Sequence, residues 1–363
     1  MSRKLKIDQF VHTLQYGDAI SGEALSIKRI LEDLGHDSEI YSLNTHQKLL
    51  GIPRKMEDFK IEEKRDAIIL HYSIGSSQNK IYAEISNAKK FIIYHNLTPE
   101  KWFSSYNFKV TSDLSQGKYE LPSLLQLSDY CLADSNFNAD ELKSFGVETP
   151  LVLPLLIDPK RWEAPANQGI VSALKATRTS TQGANILHVG RIAPNKCIDD
   201  IIKSFYFYHH KFDQTSRLWL VGHDIDTEIY SFELRQLVEE LRLKGFVNFV
   251  GSVSDDELQG FYEASDIYLC MSEHEGFCVP LIEALHHGLP VIAFSSSAIP
   301  ETLGSGGILL DEKDPLKTAL IIKNLLSDTA LRSSLKEIGQ KQIEKFSVEI
   351  FTNNLKTQIL DKL

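Results

Sequence analysis

A chain of 363 residues is longer than one hydrophobic core usually serves, so two domains are expected. With 42% hydrophobic and 24% charged residues it has the make-up of a soluble globular protein, and a net charge of −10 excludes a general nucleic-acid binder, which needs a basic face. Cys131, Cys197, Cys270 and Cys278 follow no metal spacing and point to reduced thiols, while the absence of a leader-like apolar core behind Met1–Asp8 or of a bilayer-spanning run points to the cytoplasm.

Short apolar runs predict parallel strands near residues 5–12, 38–43, 67–72, 90–94, 130–133 and 151–155. Between them Ala19–Leu34 shows helical spacing and is closed by Gly35, and Asn138 is placed to cap a short helix that stops at Gly146. The turn Gly17–Gly22 has the glycine spacing of a phosphate loop, but Glu23 and Ala24 stand where Lys and Ser or Thr should follow, which excludes a nucleoside-triphosphate site. His71 and His95 fall at the ends of predicted strands, the edge where open α/β sheets bind ligands. Trp102, Phe103, Tyr106 and Phe108 form an aromatic cluster suited to packing, to an acceptor or to a membrane surface. Asn96-Leu97-Thr98 matches a glycosylation acceptor, without consequence in a protein that is not secreted.

Residues 156–184, with Pro159, Pro165, Gly169 and the polar run Thr177–Gly183, interrupt the rhythm and read as a linker. A second strand series follows at 185–190, 217–222, 247–250, 267–270, 290–294 and 307–310, and Ser254–Glu257 forms a capping box for a helix ending near Ala264. Past Asp314 the chain is helical. The domains expected are 1–160, a linker at 161–184, 185–346, and a terminal helix at 347–363.

Two segments of the second half carry chemistry. Arg191 and Lys196 leave the carboxyl end of the 185–190 strand in a tight turn, one a planar fork and the other a compact charge, together able to balance a diphosphate leaving group. Downstream, Glu275 and Glu283 lie eight positions apart around an apolar loop. Pro280 suits a first helical turn, so Glu283 falls on a helix running from Leu281 to His287, stopped by Gly288, and Glu275 stays in the loop before it. The backbone N–H groups of Gly276, Phe277, Cys278 and Val279 then meet the positive end of the helix dipole and make a phosphate seat flanked by two carboxylates.

The stretch Ser272–Ala284 resembles the E-x7-E signature of the family 4 type (group 1) of retaining nucleotide-sugar glycosyltransferases, and the turn Arg191–Lys196 resembles that family's phosphate site, although Cys197 stands where a glycine often follows the lysine. The resemblance implies an α/β protein of the GT-B fold, two Rossmann-like domains facing a central cleft, the first on the acceptor side and the second on the nucleotide-sugar side, with the last helix crossing back to the first domain. It implies a retaining, metal-independent transfer of a hexose from a nucleoside diphosphate sugar, UDP favoured over GDP, to a hydroxyl of a glycan or lipid-linked acceptor, in polysaccharide or glycolipid assembly. No cofactor is expected, and peripheral contact with the inner face of a membrane fits such an acceptor.

In this reading Arg191, Lys196 and the helix start at Val279 hold the departing diphosphate, Glu275 the hydroxyls of the donor sugar and Glu283 the ribose. Backbone near Val250–Val253 reads the base. Gly17 and Asp18 belong to the loop that approaches the donor, and His95 resembles the family's histidine that contacts the donor sugar. Asp224-Ile225-Asp226 imitates a D-x-D metal motif that the GT-B resemblance does not require. The alternatives are a UDP-sugar 2-epimerase of the same fold and a non-catalytic glycan-binding protein.

Overall fold

The computed structural model describes residues 3–156, 162, 164–178 and 183–363, and falls into two compact units. The first unit holds Met1–Lys101, Lys109–Asp158 and Phe346–Leu363; the second holds Trp102–Phe108 and Pro159–Lys345. Of the residues read as a linker, positions 157–161, 163 and 179–182 lie outside the described residues.

In the first unit the elements run β1 (Ile7–Leu14), α1 (Ala19–Asp33), β2 (Ile40–Thr45), β3 (Arg54–Lys55), β4 (Ala67–Tyr72), α2 (Gln78–Glu84), β5 (Lys89–Tyr94), α3 (Phe108–Leu127), β6 (Tyr130–Ala133), α4 (Asn136–Ser144) and β7 (Leu151–Val152). The seven strands form one parallel sheet in the order β3-β2-β1-β4-β5-β6-β7. Every residue of β4 is buried, as expected of a parallel strand covered on both faces, which is why it reads as a continuous apolar run. Asp18 caps α1 by accepting from the Ser21 N–H, and Ala24, Ile27, Ile30 and Leu31 turn inward at helical spacing.

Two expectations shift here. Ser135, not Asn138, caps α4, because its hydroxyl accepts from the Asn138 N–H at 3.2 Å; Asn138 is the third residue of the helix. The strand read at 151–155 is shortened to Leu151–Val152, with one further bond to β6 from the Leu153 N–H to the Ala133 carbonyl at 2.9 Å.

The second unit runs α5 (Gln168–Ala176), β8 (Asn185–Val189), α6 (Ile198–Lys211), β9 (Arg217–Val221), α7 (Glu228–Glu240), β10 (Val247–Gly251), α8 (Asp255–Ala264), β11 (Ile267–Cys270), α9 (Val279–His286), β12 (Val291–Phe294), α10 (Ile299–Leu303), β13 (Ile308–Leu310), α11 (Pro315–Ser327) and α12 (Thr329–Ile343). Its six strands are parallel in the order β10-β9-β8-β11-β12-β13. The capping box at Ser254 and Glu257 is formed.

Helix α5 corrects the linker reading. Asn167 caps it, Val171 and Leu174 are buried, and Ile170 packs against Gly260 of α8, where the missing side chain leaves the room. Two buried positions in nine residues are too few to show a period in sequence. The aromatic segment Trp102–Phe108 also belongs to this unit: Tyr106 donates to Glu233 at 3.1 Å and packs edge-on to Tyr230. The last helix, α13 (Val348–Gln358), is part of the first unit, burying Phe351 and Leu355, with Ile359 just beyond, in the core that contains Ile7, Ile27 and Ile93.

Candidate functional site

At the carboxyl edge of the second sheet, strands β8 and β9 end in glycines that let two loops approach. Gly222 has φ +147, and a Cβ there would overlap the Gly190 carbonyl oxygen, so the position accepts no side chain without backbone movement. After Gly190 the chain turns through Arg191 into a short 3-10 turn, Pro194–Lys196, and Cys197 takes the left-handed conformation at φ 48 before α6 starts. Cys197 thus occupies a backbone state that glycine adopts more readily, which accounts for the glycine expected there.

Lys196 and Glu275 meet. The Lys196 ammonium donates to both Glu275 oxygens, at 2.6 and 2.7 Å, with the side chains only 21% and 9% exposed. Burial works against the ammonium charge, but the Glu275 carboxylate outweighs it and holds Lys196 above its ordinary value. An ammonium has three protons, and two are committed to Glu275.

The loop carrying Glu275 is held from both sides. Asn195 donates its side-chain amide to the His274 carbonyl at 3.0 Å, and the Glu273 N–H donates to the Asn195 carbonyl at 2.9 Å. On the other side the Glu275 N–H donates to the Ser297 hydroxyl at 2.8 Å, Ser296 to the Ser272 carbonyl at 2.6 Å, and Thr302 to the Phe277 carbonyl at 2.6 Å. Sequence reading missed these three hydroxyls, which come from the loop after β12 and from α10 and carry no motif.

Helix α9 begins at Val279 rather than Leu281, with Cys278 as its N-cap at φ 75 and no side chain capping it. An eight-residue helix starting uncapped beside a half-buried lysine is a seat for an anion. Cys278 hydrogen-bonds through its thiol to Cys270, so its sulfur faces inward. Glu283 lies on α9, 5% exposed, and accepts from the Tyr262 hydroxyl at 2.9 Å; Tyr262 was not foreseen, since nothing local marks it out from other core tyrosines. Burial and the Glu283 charge push the phenol well above its ordinary value, so it remains the donor.

Arg191 departs from expectation. Its Nε and Nη2 donate to the Ile225 carbonyl at 3.2 and 2.8 Å, and its guanidinium lies over the Phe103 ring, so the fork grips the 224–227 loop instead of joining Lys196. That loop contains the D-x-D look-alike, with Asp226 at φ 66. Val253 is half-buried between β10 and the capping box of α8.

Residues 174–342 match the family model described as glycosyl transferases group 1. The second domain belongs to this group 1 glycosyl transferase family. Among curated relatives, the O-antigen chain mannosyltransferase B of Escherichia coli is 27% identical over 164 residues, 45% of this chain and 42% of its own length. The D-inositol 3-phosphate glycosyltransferase of Corynebacterium jeikeium (strain K411) is 34% identical over 116 residues, 31% of this chain and 28% of its own. The chain therefore matches less than half the length of these relatives. The GT-B fold of both domains is shared with the crystal structure of Anabaena Alr3699/HepE in complex with UDP and glucose, at a TM-score of 0.76 and 18% identity, covering 99% of this chain and 100% of that one. Among the described residues no helix is long and apolar enough to cross a membrane.

In the first unit, Asp18 is committed to capping α1 and Gly17, at φ 80, forms the turn before it. His95 is not open to a ligand. Its side chain is 1% exposed; Nδ1 bonds Asp134 at 3.0 Å and Nε2 bonds His71 Nδ1 at 2.8 Å, which corrects the reading of a histidine reaching a sugar. His71 Nε2 in turn bonds Gln9 Oε1 at 2.9 Å, and Gln9 is oriented by donating its amide to the Ala24 carbonyl. Since the Gln9 oxygen can only accept, His71 Nε2 carries a hydrogen and its Nδ1 presents a lone pair to His95. The chain from Asp134 to Gln9 therefore holds a proton between the rings.

Glu23 completes this buried group, 3.5 Å from His95 and 3.7 Å from His71, with both carboxyl oxygens lacking a hydrogen bond. Burial pushes Glu23 up to about 8; His95 is held up at about 9 because Asp134 and Glu23 outweigh the burial that opposes its charge. Two sets of metal-competent side chains coincide with these networks, Glu23 with His71 and His95, and Glu275 with Cys270 and Cys278. In the first set His71 and His95 share a proton while both Glu23 oxygens are unbonded, and in the second Glu275 is paired with Lys196.

Proposed function

We propose that this protein transfers a hexose from a nucleoside diphosphate sugar, a UDP-sugar foremost, to a hydroxyl of a glycan or glycolipid, with retention of anomeric configuration and without a metal. The observation that carries the reading is the Lys196–Glu275 pair at the uncapped start of α9, with Glu283 on the same helix. The diphosphate sits on the first turn of α9, and the third proton of Lys196 donates to it. Each well-aimed donor to the leaving oxygens supplies about 3 to 4 kcal/mol of transition-state stabilisation.

Glu275, fixed by Lys196 and Ser297, accepts from hydroxyls of the donor sugar, and Glu283, fixed by Tyr262, accepts from the ribose. Arg191 reaches the phosphates after releasing the Ile225 carbonyl, so donor binding and movement of the 224–227 loop are linked. His95 serves by ordering the ends of β4, β5 and β6. The acceptor hydroxyl attacks the face that the diphosphate leaves, and no carboxylate acts as a covalent nucleophile. The UDP in the Anabaena complex and the glycosyltransferase names of the curated relatives support this choice of donor and reaction class.

A thermal-shift screen of UDP-, GDP- and ADP-sugars tests the donor: a ligand at 100 times its dissociation constant stabilises by about 2.7 kcal/mol. Product analysis with and without acceptor then separates transfer from epimerisation, since an epimerase releases a new sugar with no acceptor present. Failure of every nucleotide sugar to shift the transition would remove the proposal.

A further inference from the structure

The second domain has a cavity of about 350 Å³ at the opposite edge of its sheet from the donor seat. Ser265 and Asp266, in its wall, immediately precede β11, and Pro290 immediately precedes β12, so the cavity opens at the amino ends of the strands, whereas Lys196 and Glu275 follow the carboxyl ends of β8 and β11. One face of α12 supplies Thr329, Arg332, Ser333 and Lys336 at helical spacing, and His287 and Tyr262 face them from the other side.

The charges in the wall are not balanced in the way their count suggests. Asp266 is paired with Arg178 at 2.9 Å and accepts from the Asn185 N–H at 2.8 Å, and Glu263 faces Lys175 at 4.0 Å, so both acids have their nearest cations outside the cavity, although the Arg332 charge also acts on Asp266. Among the described residues neither Arg332 nor Lys336 has a carboxylate within 4.0 Å. Arg332 Nε and His287 Nε2 are buried polar atoms without any hydrogen-bond partner. Buried polar atoms are ordinarily satisfied, so these two orphans, one of them on Arg332 itself, with the Lys336 ammonium alongside, mark a place for an anion. Burial holds His287 down at about 4, so it lines the cavity as a neutral ring.

We propose that this cavity is a second binding site, for a small dianionic phosphate ester, and that its occupancy is coupled to the donor site through Tyr262. Arg332 takes two phosphate oxygens with its fork, Lys336 adds a point charge, and the hydroxyls of Ser333 and of Thr329, which accepts from Arg332 Nη2 at 3.4 Å, complete the set as donors. The volume exceeds that of inorganic phosphate, which leaves room for the organic part of an ester. The connection is short: the His287 ring stacks on Tyr262 with centroids 5.2 Å apart and planes 4° apart, and the Tyr262 hydroxyl donates to Glu283. A ligand that draws His287 toward Arg332 shifts the ring on which Tyr262 rests, and so the carboxylate assigned to the ribose. The coupling rests on the nucleotide-sugar reading; the anion site does not.

Titration calorimetry of the full chain with glycerol 3-phosphate and with inorganic phosphate tests the site, comparing the wild type with an Arg332→Ala/Lys336→Ala variant, both with and without saturating UDP. The expected result is a site in the wild type that persists under UDP, binds the ester more tightly than inorganic phosphate, and weakens at least tenfold in the variant. Identical phosphate titrations of the two proteins overturn the site, however UDP behaves. For the coupling, glycerol 3-phosphate should change the UDP dissociation constant at least threefold in the wild type beyond any change in the variant, because competition at the donor seat is common to both. An equal effect in the two proteins overturns the coupling and leaves the transfer reaction to its own test.

Discussion

Replacing Lys196 by alanine separates the structural from the ligand-binding share of the central ion pair. Removing the ammonium leaves Glu275, whose side chain is 9% exposed, without its cation. Breaking a fully buried pair costs about 3 to 5 kcal/mol. Lys196 is 21% exposed, so water reaches the vacancy and the expected loss is smaller, about 2 to 3 kcal/mol. For a domain of this size that is a fall in Tm of about 4 to 12 °C. Neutralising the partner as well, in Lys196→Ala/Glu275→Gln, removes the stranded charge and should restore at least half of the lost stability. UDP affinity should stay low in the double variant, because the third ammonium proton is still missing. Thermal denaturation of the four proteins of the cycle, with and without UDP, reads both quantities. If the two substitutions add to within about 0.5 kcal/mol, the pair is not coupled and the reasoning fails.

Glu23→Gln should remove a pH dependence. Glu23 is held at about 8 against an ordinary 4.5, so its contribution is fully present below pH 4.5 and is lost as pH rises through 8. The change in slope is up to about 1.4 kcal/mol per pH unit, so the Tm of the variant should gain on the wild type from pH 5 to pH 8; a constant difference would contradict the buried, protonated carboxyl. Gly222→Ala should destabilise the second domain by more than about 2 kcal/mol and weaken UDP binding, since the added Cβ meets the Gly190 carbonyl in a backbone state that side chains rarely adopt; unchanged denaturation and binding would mean the two loops do not need their close approach.

Both sheets were legible in the sequence because parallel strands covered on two faces read as unbroken apolar runs, Ala67–Tyr72 and Ile267–Cys270 among them. Helix α5 was not, because only Val171 and Leu174 face inward. The loop from Glu275 to Glu283 was legible because its parts are contiguous, and the Pro194–Lys196 turn because it follows a clear strand end. The histidine network is a product of register: Tyr72 pairs with Tyr94 and Tyr94 with Ala133, so His95 and Asp134 each stand one step beyond the same row. That row is visible in sequence only once strand order is known, and Glu23 joins it from α1 on burial alone. Arg191 was legible as a cation at the right edge but not as the partner of Ile225, since a backbone carbonyl carries no sequence signal.

Calorimetric titration of UDP onto the full chain, beside the Glu283→Ala variant, bears most directly on the assigned donor seat. One saturable site per chain, weakened at least tenfold in the variant, is the predicted result. No binding to the wild type, or equal affinity in both proteins, would contradict it.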